Sequence, residues 1–415
     1  MIMKTSYQGA VSLPGSKSES NRALMIAEYG GFPPAFSGLS NAHDTVLLQG
    51  LLEKIEVSKG DVVTQLDAED AGTVVRFLLP LLSGREGTWL LTGSERMRQR
   101  PIGPLVEALR QLGAEITCLN QEGCLPVRVC GKALAGGTVT LDASQSSQFV
   151  SALLLAAPMW ERGLELRLGG EIASLPYVVM TISMMVRFGA QVRCAERSIK
   201  VLPQGYQPFP FKIAADWSAA SYWYELAALS EGSTILLKGL KQQTIQGDSI
   251  LAQWYERFGV HTVFDRWGAH LCKTPAQPSS VKEEEPLVFD FSDTPDLFPA
   301  VIVTCVALHR HLVFTGVKNL ALKESDRVKS IITELNKLYT FINIIEDDKI
   351  EIFESSIIDS GFYNSVVLET YSDHRVAMAL APLSLIFPSL SLDHPEVVGK
   401  SYPDYWREFE SLTKS

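Results

Sequence analysis

The sequence predicts an α/β protein of two similar domains, each assembled from three copies of one strand-turn-helix unit. A chain of 415 residues, 46% of them hydrophobic, exceeds one ordinary core and can fill two. Six times a β-like stretch runs through a short polar turn into an apolar helix, with a spacing of about 70 residues that is too long for a solenoid. A second helix often follows and ends in a related phrase: Leu109-Arg-Gln-Leu-Gly113-Ala-Glu-Ile, Met185-Val-Arg-Phe-Gly189-Ala-Gln-Val and Tyr255-Glu-Arg-Phe-Gly259-Val-His-Thr. The glycine in each is the residue that stops a helix before the next strand.

The strands are expected at 10–13, 62–66, 137–141, 210–214, 287–291 and 366–369, rich in β-branched and aromatic residues or alternating in polarity. The turns after them are Gly15-Ser16-Lys17-Ser18, Asp70-Ala71-Gly72-Thr73, Ser144-Gln145-Ser146-Ser147-Gln148, Asp216-Trp217-Ser218, Asp293-Thr294-Pro295-Asp296 and Ser372-Asp373-His374-Arg375. Each holds good helix N-cap residues. The helices that follow, among them 74–82, 149–157, 219–229, 297–308 and 376–385, are apolar nearly all round and therefore interior. Residues 273–285, rich in Pro, Ser and Glu, read as a surface loop.

Composition narrows the function. The first residues carry no signal-type apolar stretch, and the longest apolar runs, 149–160 and 376–387, are too short to span a bilayer, so a soluble cytoplasmic protein is expected. The six cysteines form no C-x-x-C pair and no zinc-type spacing, which implies reduced thiols and no structural metal. A net charge of −10 argues against nucleic-acid or anionic-membrane partners. Any anion site must be a local cationic cluster.

The stretch Leu13-Pro14-Gly15-Ser16-Lys17-Ser18-Glu19-Ser20-Asn21-Arg22 has that character. Lys17, the free amides of a first helical turn, and Arg22 about one turn in bring charge, donors and helix dipole together. A capped surface helix with a solvated Lys and Arg explains the stretch alone equally well. Further cationic phrases follow: Arg96-Met97-Arg98-Gln99-Arg100-Pro101, Lys323-Glu324-Ser325-Asp326-Arg327, Asp373-His374-Arg375 and Lys400-Ser401-Tyr402-Pro403. Symmetric packing of the repeats would converge their helix N-termini on a common region. Common nucleotide and hydrolase motifs are absent: there is no G-x-G-x-x-G or G-x-S-x-G, and Gly399-Lys400-Ser401 lacks the loop of a Walker motif.

Taken in order, Pro14-Gly-Ser-Lys-Ser-x-Ser-Asn-Arg22, Ala71-Gly-Thr-x-x-Arg76, Leu91-Thr-Gly-x-x-Arg96-Met-x-x-Arg100-Pro-Ile-Gly103, Ser146-Ser-Gln-Phe149, Lys323-Glu-Ser-Asp-Arg327 and Asp373-His-Arg375 resemble the 5-enolpyruvylshikimate-3-phosphate synthase family over nearly the whole chain. The resemblance implies two domains of three βαβαββ units each, the inverse α/β barrel-like enolpyruvyl transferase fold. It places residues 1–12 with 217–415 in the first domain and 13–216 in the second. The two chain crossings, near 13–16 and 214–218, would form a hinge that closes when shikimate 3-phosphate binds.

The implied reaction moves the enolpyruvyl group of phosphoenolpyruvate to the 5-hydroxyl of shikimate 3-phosphate through a tetrahedral ketal, releasing phosphate. No cofactor or metal is implied, and a monomer is expected. Three anionic groups must enter one cleft of an acidic protein, which suits arginine forks and helix amides. By resemblance Arg327 and Arg375 hold the carboxylate of phosphoenolpyruvate, and Lys17, Gly72, Arg100, Gln148 and Lys400 its phosphate. Lys17, Ser18, Arg22, Ser146, Ser147, Gln148, Ser174, Tyr177, Asp296, Asn319 and Lys323 match positions for shikimate 3-phosphate. Asp296 is the implied base at the 5-hydroxyl, with helix capping as its plainer reading, while Glu324 handles the C3 proton with help from Lys17.

Asp70 departs from the family's usual asparagine, and a cap for the Gly72 helix is expected of it. Leu175 and Tyr339 replace a common basic residue and a glycine and are expected to be harmless. The sister transferase acting on UDP-N-acetylglucosamine carries a loop cysteine that Arg96-Met-Arg-Gln-Arg100-Pro lacks. A non-catalytic anion-binding protein of the same fold is disfavoured by intact Lys17, Asp296, Glu324 and Arg375.

Overall fold

The structure, a computed structural model, describes residues 6–58, 62–274, 286–346, 348–357 and 365–414. The loop expected at 273–285 lies outside the described residues from 275 onward. The chain divides into two compact units: Met1–Ser16 with Ala214–Ser415, and Lys17–Ile213.

The first unit opens with β1 (Gln8–Ser12). The chain then builds the second unit: α1 (Lys17–Gly30), α2 (His43–Glu56), β2 (Thr64–Asp67), α3 (Gly72–Gly84), β3 (Gly87–Thr92), α4 (Glu95–Gln99), α5 (Gly103–Gln111), β4 (Glu115–Cys118), β5 (Val127–Gly131), β6 (Gly137–Asp142), α6 (Ser147–Ala156), β7 (Leu164–Gly169), α7 (Leu175–Arg187), β8 (Val192–Ala195) and β9 (Ser198–Val201). It returns to the first unit with α8 (Trp217–Leu229), β10 (Thr234–Lys238), α9 (Leu251–Glu256), β11 (Val260–Phe264), β12 (Gly268–Lys273), β13 (Leu287–Asp290), α10 (Phe298–Ala307), β14 (Leu312–Thr315), α11 (Arg327–Leu335), β15 (Tyr339–Glu346), β16 (Lys349–Ile357), β17 (Val366–Leu368), α12 (His374–Leu380), β18 (Leu390–Leu392) and α13 (Tyr405–Thr413).

Four sheets share one strand order: β2-β3-β5-β4 and β6-β7-β9-β8 in the second unit, β1-β10-β12-β11 and β13-β14-β16-β15 in the first. In each, the opening two strands are parallel and the closing two antiparallel, with the last strand inserted between its hairpin partner and the parallel pair. A helix crossover demands the former and a short connection permits the latter. This is the βαβαββ unit, and the expected α/β class is borne out.

Three of the six expected units differ. The first leaves α1 and α2 in the second unit with no sheet of their own among the described residues, since its strand, β1, pairs with β10 of the first unit. The last is reduced to β17, α12 and β18, a parallel pair with its crossover. At 210–214 the expected strand is replaced by isolated bridges, Ser37 with Lys212 and Gly15 with Ala215. Pro208 and Pro210 supply no backbone donors there, so a ladder cannot form. The strand that flanks α8 is instead β1, paired in parallel with β10 from Gln8 opposite Thr234 to Ser12 opposite Lys238. The two crossing segments are tied together: Ser16 N donates to Ala214 O at 2.8 Å and Asp216 N to Pro14 O at 3.0 Å.

Smaller differences have local causes. The helix expected at 297–308 is preceded by a 3-10 turn at Pro295–Leu297, and that at 376–385 changes to a 3-10 turn at Ala381–Leu385, beside Pro382. Gly113 and Gly189 follow the last helical carbonyls of α5 and α7 with φ of +97° and +90°, the left-handed region glycine enters without strain. Tyr339 is buried in the core of the first unit, and Leu175 is exposed.

The uniform apolarity of α8 and α10 is explained by burial on every side: all residues of α10 are buried, and of α8 all but Ser218. Each such Leu, Val or Phe contributes roughly 1.5–3 kcal/mol. No helix among the described residues is long and apolar enough to cross a membrane.

One residue breaks this pattern. Glu225 lies in α8 with no exposed surface, and neither carboxyl oxygen has a hydrogen-bond partner among the described residues. Burial raises its pKa well above the ordinary value, so it is held neutral. An unfolded chain ionises this group above about pH 4.5, and each further pH unit then costs the native state up to about 1.4 kcal/mol until the folded pKa is reached. Glu225→Met is therefore expected to raise the melting temperature, and more at pH 8.5 than at pH 5.5. An equal change at both pH values, or a decrease, in thermal unfolding followed by circular dichroism would contradict this account.

Candidate active site

In the second unit, helices α1, α3 and α6 carry polar residues in the first turn, and α7 carries Tyr177 there. Gly72 begins α3, and a Cβ placed there would lie 2.5 Å from Arg76 Nη1 and 2.9 Å from Arg100 Nη1. Two guanidinium groups therefore lie directly against this N-terminus, an approach that only glycine permits. Arg76 is fixed by the carbonyls of Gly72 at 3.0 Å and Pro101 at 3.2 Å. Gln148 reaches the same turn from α6, its Nε2 donating to Thr73 Oγ1 at 3.1 Å. Gly72, Arg100 and Gln148 are thus gathered at one helix start, where amides and positive charge favour an anion.

Ser146 caps α6, accepting from Gln148 N at 3.2 Å, and Ser147 is buried beside it. Ser174 precedes α7 in a left-handed conformation with φ of 55° and offers no side-chain cap. Arg22 is buried: Nε donates to Thr181 Oγ1 at 2.7 Å, Nη1 to Ser18 O at 2.9 Å, and Nη2 to Tyr177 O and Ser151 Oγ. Burial lowers its pKa to about 10, against the raising influence of Tyr177 and Glu19, so it remains a cation at neutral pH. Much of its donor capacity locks α1 to α6 and α7. Lys17 pairs at 2.8 Å with Asp44 in the first turn of α2, both nearly buried.

In the first unit one guanidinium organises the cluster. Arg327 opens α11 at 1% exposure, its Nη1 2.9 Å from Asp296 Oδ1, Nη2 3.0 Å from Glu324 Oε2 and Nε 2.9 Å from Asp373 Oδ2. Burial alone would lower its pKa, but Asp373, Glu324 and Asp296 outweigh it and hold the cation. Arg375, in the first turn of α12, grips the other oxygen of Asp296 at 2.6 Å. Burial, the largest influence on Asp296, favours its neutral form, yet Arg375, Arg327 and Lys323 together hold its carboxyl well below the usual range. Lys400 Nζ stands 3.8 Å from Glu324 Oε1. Asn319 and Lys323 are half-buried, in and just after the 3-10 turn Lys318–Leu322. Asp296 is no helix cap: Thr294 holds the cap position before its turn, with no side-chain cap bond among the described residues.

The structure corrects the expectation for Asp70. The cap position of α3 is Ala71, with no side-chain cap bond, and Asp70 instead accepts from Ser94 Oγ. Ser94 caps α4, the helix that leads into Arg100, by accepting from Met97 N at 3.1 Å. Asp70 thus braces the loop that delivers Arg100.

Sequence reasoning assigned no role to Asp44 or Asp373. Asp373 lies within the Asp373-His-Arg375 motif and its N-cap position was legible; it accepts from Arg375 N at 3.0 Å while also binding Arg327 and Ser325 Oγ. Asp44 is a single acidic residue early in a helix, with nothing local to mark its link to Lys17.

Repeated βαβαββ units and two clusters of cations at helix starts define a class, the enolpyruvyl transferase fold. EPSP synthase from Acinetobacter baumannii superposes with a TM-score of 0.71 at 22% identity, covering 99% of this chain and 97% of its own. The enolpyruvyl transferase NikO from Streptomyces tendae gives 0.68 at 14% identity, over 99% and 96%. The sequence profile of the family described as EPSP synthase (3-phosphoshikimate 1-carboxyvinyltransferase) matches residues 35–409. A 3-phosphoshikimate 1-carboxyvinyltransferase of Bacteroides fragilis (strain YCH46) is 41% identical over 97% of this chain and 94% of its own length. One of Vibrio cholerae serotype O1 (strain M66-2) is 32% identical over 98% and 97%. The chain belongs to the EPSP synthase family.

Asp373 carries two duties, capping α12 and pairing with buried Arg327. Asp373→Ala is expected to cost about 3–5 kcal/mol of stability in urea unfolding, since it strands a buried charge and removes a cap. A loss below about 1 kcal/mol would show that the residue has neither duty.

Proposed function

We propose that this chain is a cytoplasmic, monomeric enzyme that transfers the enolpyruvyl group of phosphoenolpyruvate to the 5-hydroxyl of shikimate 3-phosphate with release of phosphate. The observation that carries the reading is the seat of Asp296 between Arg327 and Arg375, 2.9 and 2.6 Å from them. Two guanidinium groups that hold one carboxylate this way are suited to hold another, and phosphoenolpyruvate brings one. The α3 start, with Gly72, Arg100 and Gln148, and the cations Lys17 and Lys400 suit its phosphate; Ser18, Arg22, Ser146, Ser147, Ser174, Tyr177, Asn319 and Lys323 serve the second substrate.

The exchange of carboxylates also activates the base. While paired, Asp296 has little affinity for a proton. Once the substrate carboxylate answers the charge of Arg327 and Arg375, the attraction that kept Asp296 acidic weakens and its proton affinity rises. It can then accept the proton of the 5-hydroxyl as that oxygen bonds to C2, while Glu324 delivers a proton to C3. In the second half C3 returns its proton, the double bond reforms and the C2–O bond to phosphate breaks. Glu324, between Arg327 and Lys400, stands among cations that stabilise it whenever it is charged.

Neither carboxylate helps an anion to bind by charge. Asp296→Ala and Glu324→Ala are therefore expected to lower kcat by about a hundredfold or more with substrate affinity held or improved. Near-normal phosphate release by both variants, assayed with the two substrates, would remove the assignment.

A further inference from the structure

The segment that delivers Asp373 and Arg375 takes a path that few side chains allow. Tyr371 and Ser372 both have φ of +53°, the one adjacent pair of non-glycine residues in the left-handed region among the described residues. A Cβ makes that region unfavourable, so such a turn persists only where its surroundings hold it.

Two carboxylates hold it here. Glu334, fully buried in α11, accepts from Glu369 N at 2.8 Å on Oε2 and from the Tyr371 hydroxyl at 2.7 Å on Oε1. Lys337 Nζ, 2.7 Å from Glu334 Oε2, answers the buried charge. Asp393, just after β18, accepts from Thr370 N at 2.9 Å, and Asp373 N closes the turn on Thr370 O at 2.9 Å. Arg327 and Glu334 stand seven residues apart on α11, hence on one face. The helix thus grips the turn on both sides, at 369 and 371 through Glu334 and at 373 through Arg327. Beyond the turn, Arg375 donates its backbone N–H to Asp373 Oδ1 at 3.0 Å and its guanidinium to Asp296. A chain that needed only to reverse here could use glycine, which enters the left-handed region without help. Side chains that hold the turn from a second element fix it in one place.

We propose that Glu334 and Tyr371 are positioning residues for the transfer reaction: their hydrogen bond locks the turn at 371–372 and thereby sets where Arg375 presents its guanidinium. The inference rests on the reading of Arg375 as a holder of the phosphoenolpyruvate carboxylate. Burial, then the bond to Glu334, raise the pKa of the Tyr371 phenol, which therefore stays the donor. With the bond lost, the turn relaxes toward ordinary backbone angles and carries the start of α12 with it. Arg375 must then be ordered at the moment of binding, and the affinity for the carboxylate falls.

Tyr371→Phe removes one hydroxyl and keeps the ring. In a phosphate-release assay it is expected to raise KM for phosphoenolpyruvate about fivefold or more, with kcat and KM for shikimate 3-phosphate within about twofold. Adding Ser372→Gly, which lets the turn form without the clamp, is expected to return that KM to within about twofold of the unaltered protein's. A KM for phosphoenolpyruvate unmoved by Tyr371→Phe, even with a lowered melting temperature, marks a merely structural bond and overturns the proposal. So does an equal rise for both substrates, or no recovery on adding Ser372→Gly. Arg375→Ala separates this inference from the reading beneath it. If that variant raises KM for phosphoenolpyruvate while Tyr371→Phe does not, only this inference fails; if Arg375→Ala leaves it unmoved, the reading of Arg375 fails and the role of the clamp with it.

Discussion

The buried guanidinium of Arg327 constrains most of what surrounds it. A cation at 1% exposure is tolerable only when its donors are matched, and Asp296, Glu324 and Asp373 match them from three separate segments of the first unit. Each partner brings a structural element into place. Asp373 starts α12 and so orients Arg375; Asp296 fixes the turn ahead of α10; Glu324 holds the approach to α11 and meets Lys400. Arg327 and Arg375 thus already hold a carboxylate, one of the protein's own. On the proposed function a substrate carboxylate has only to exchange with Asp296, and no cation must be moved into a dry interior to receive it. The cost of desolvating the cations is met at folding, which is preorganisation in the physical sense.

The second unit solves a related problem with helix starts. At Gly72 the absence of a side chain lets Arg76 and Arg100 approach the free amides of α3, and Gln148 extends the polar rim from α6. Arg100 owes its place to a relay of caps: Asp70 holds Ser94, Ser94 holds the start of α4, and α4 ends at Arg100. A chain with net charge −10 can thus concentrate positive potential locally without a basic surface.

The α/β class and the repeated unit were legible because apolar helices after capped turns leave a strong periodic trace, and most strands lie within a few residues of their expected positions. The stretch 210–214 failed as a strand because Pro208 and Pro210 outweigh its β-forming residues, and because β1, far away in sequence, fills the edge beside β10. No local pattern reveals such an exchange. Motif residues such as Arg327 and Arg375 could be read from the chain, since clustered cations need a partner of opposite charge. That they hold the protein's own Asp296 could not, because it lies 31 positions from Arg327 and 79 from Arg375. Asp70 misled for the same reason: its propensity to cap was real, but Ser94 offered a tertiary hydrogen bond that local preference cannot foresee.

The central claim is that Asp296 competes with the substrate carboxylate for Arg327 and Arg375. Calorimetric titration of phosphoenolpyruvate into the unaltered protein and into Asp296→Asn at equal ionic strength tests it most directly. Removal of the competing carboxylate is expected to tighten binding by about fivefold or more, a gain of roughly 1 kcal/mol. Unchanged or weaker binding in the variant would contradict the claim.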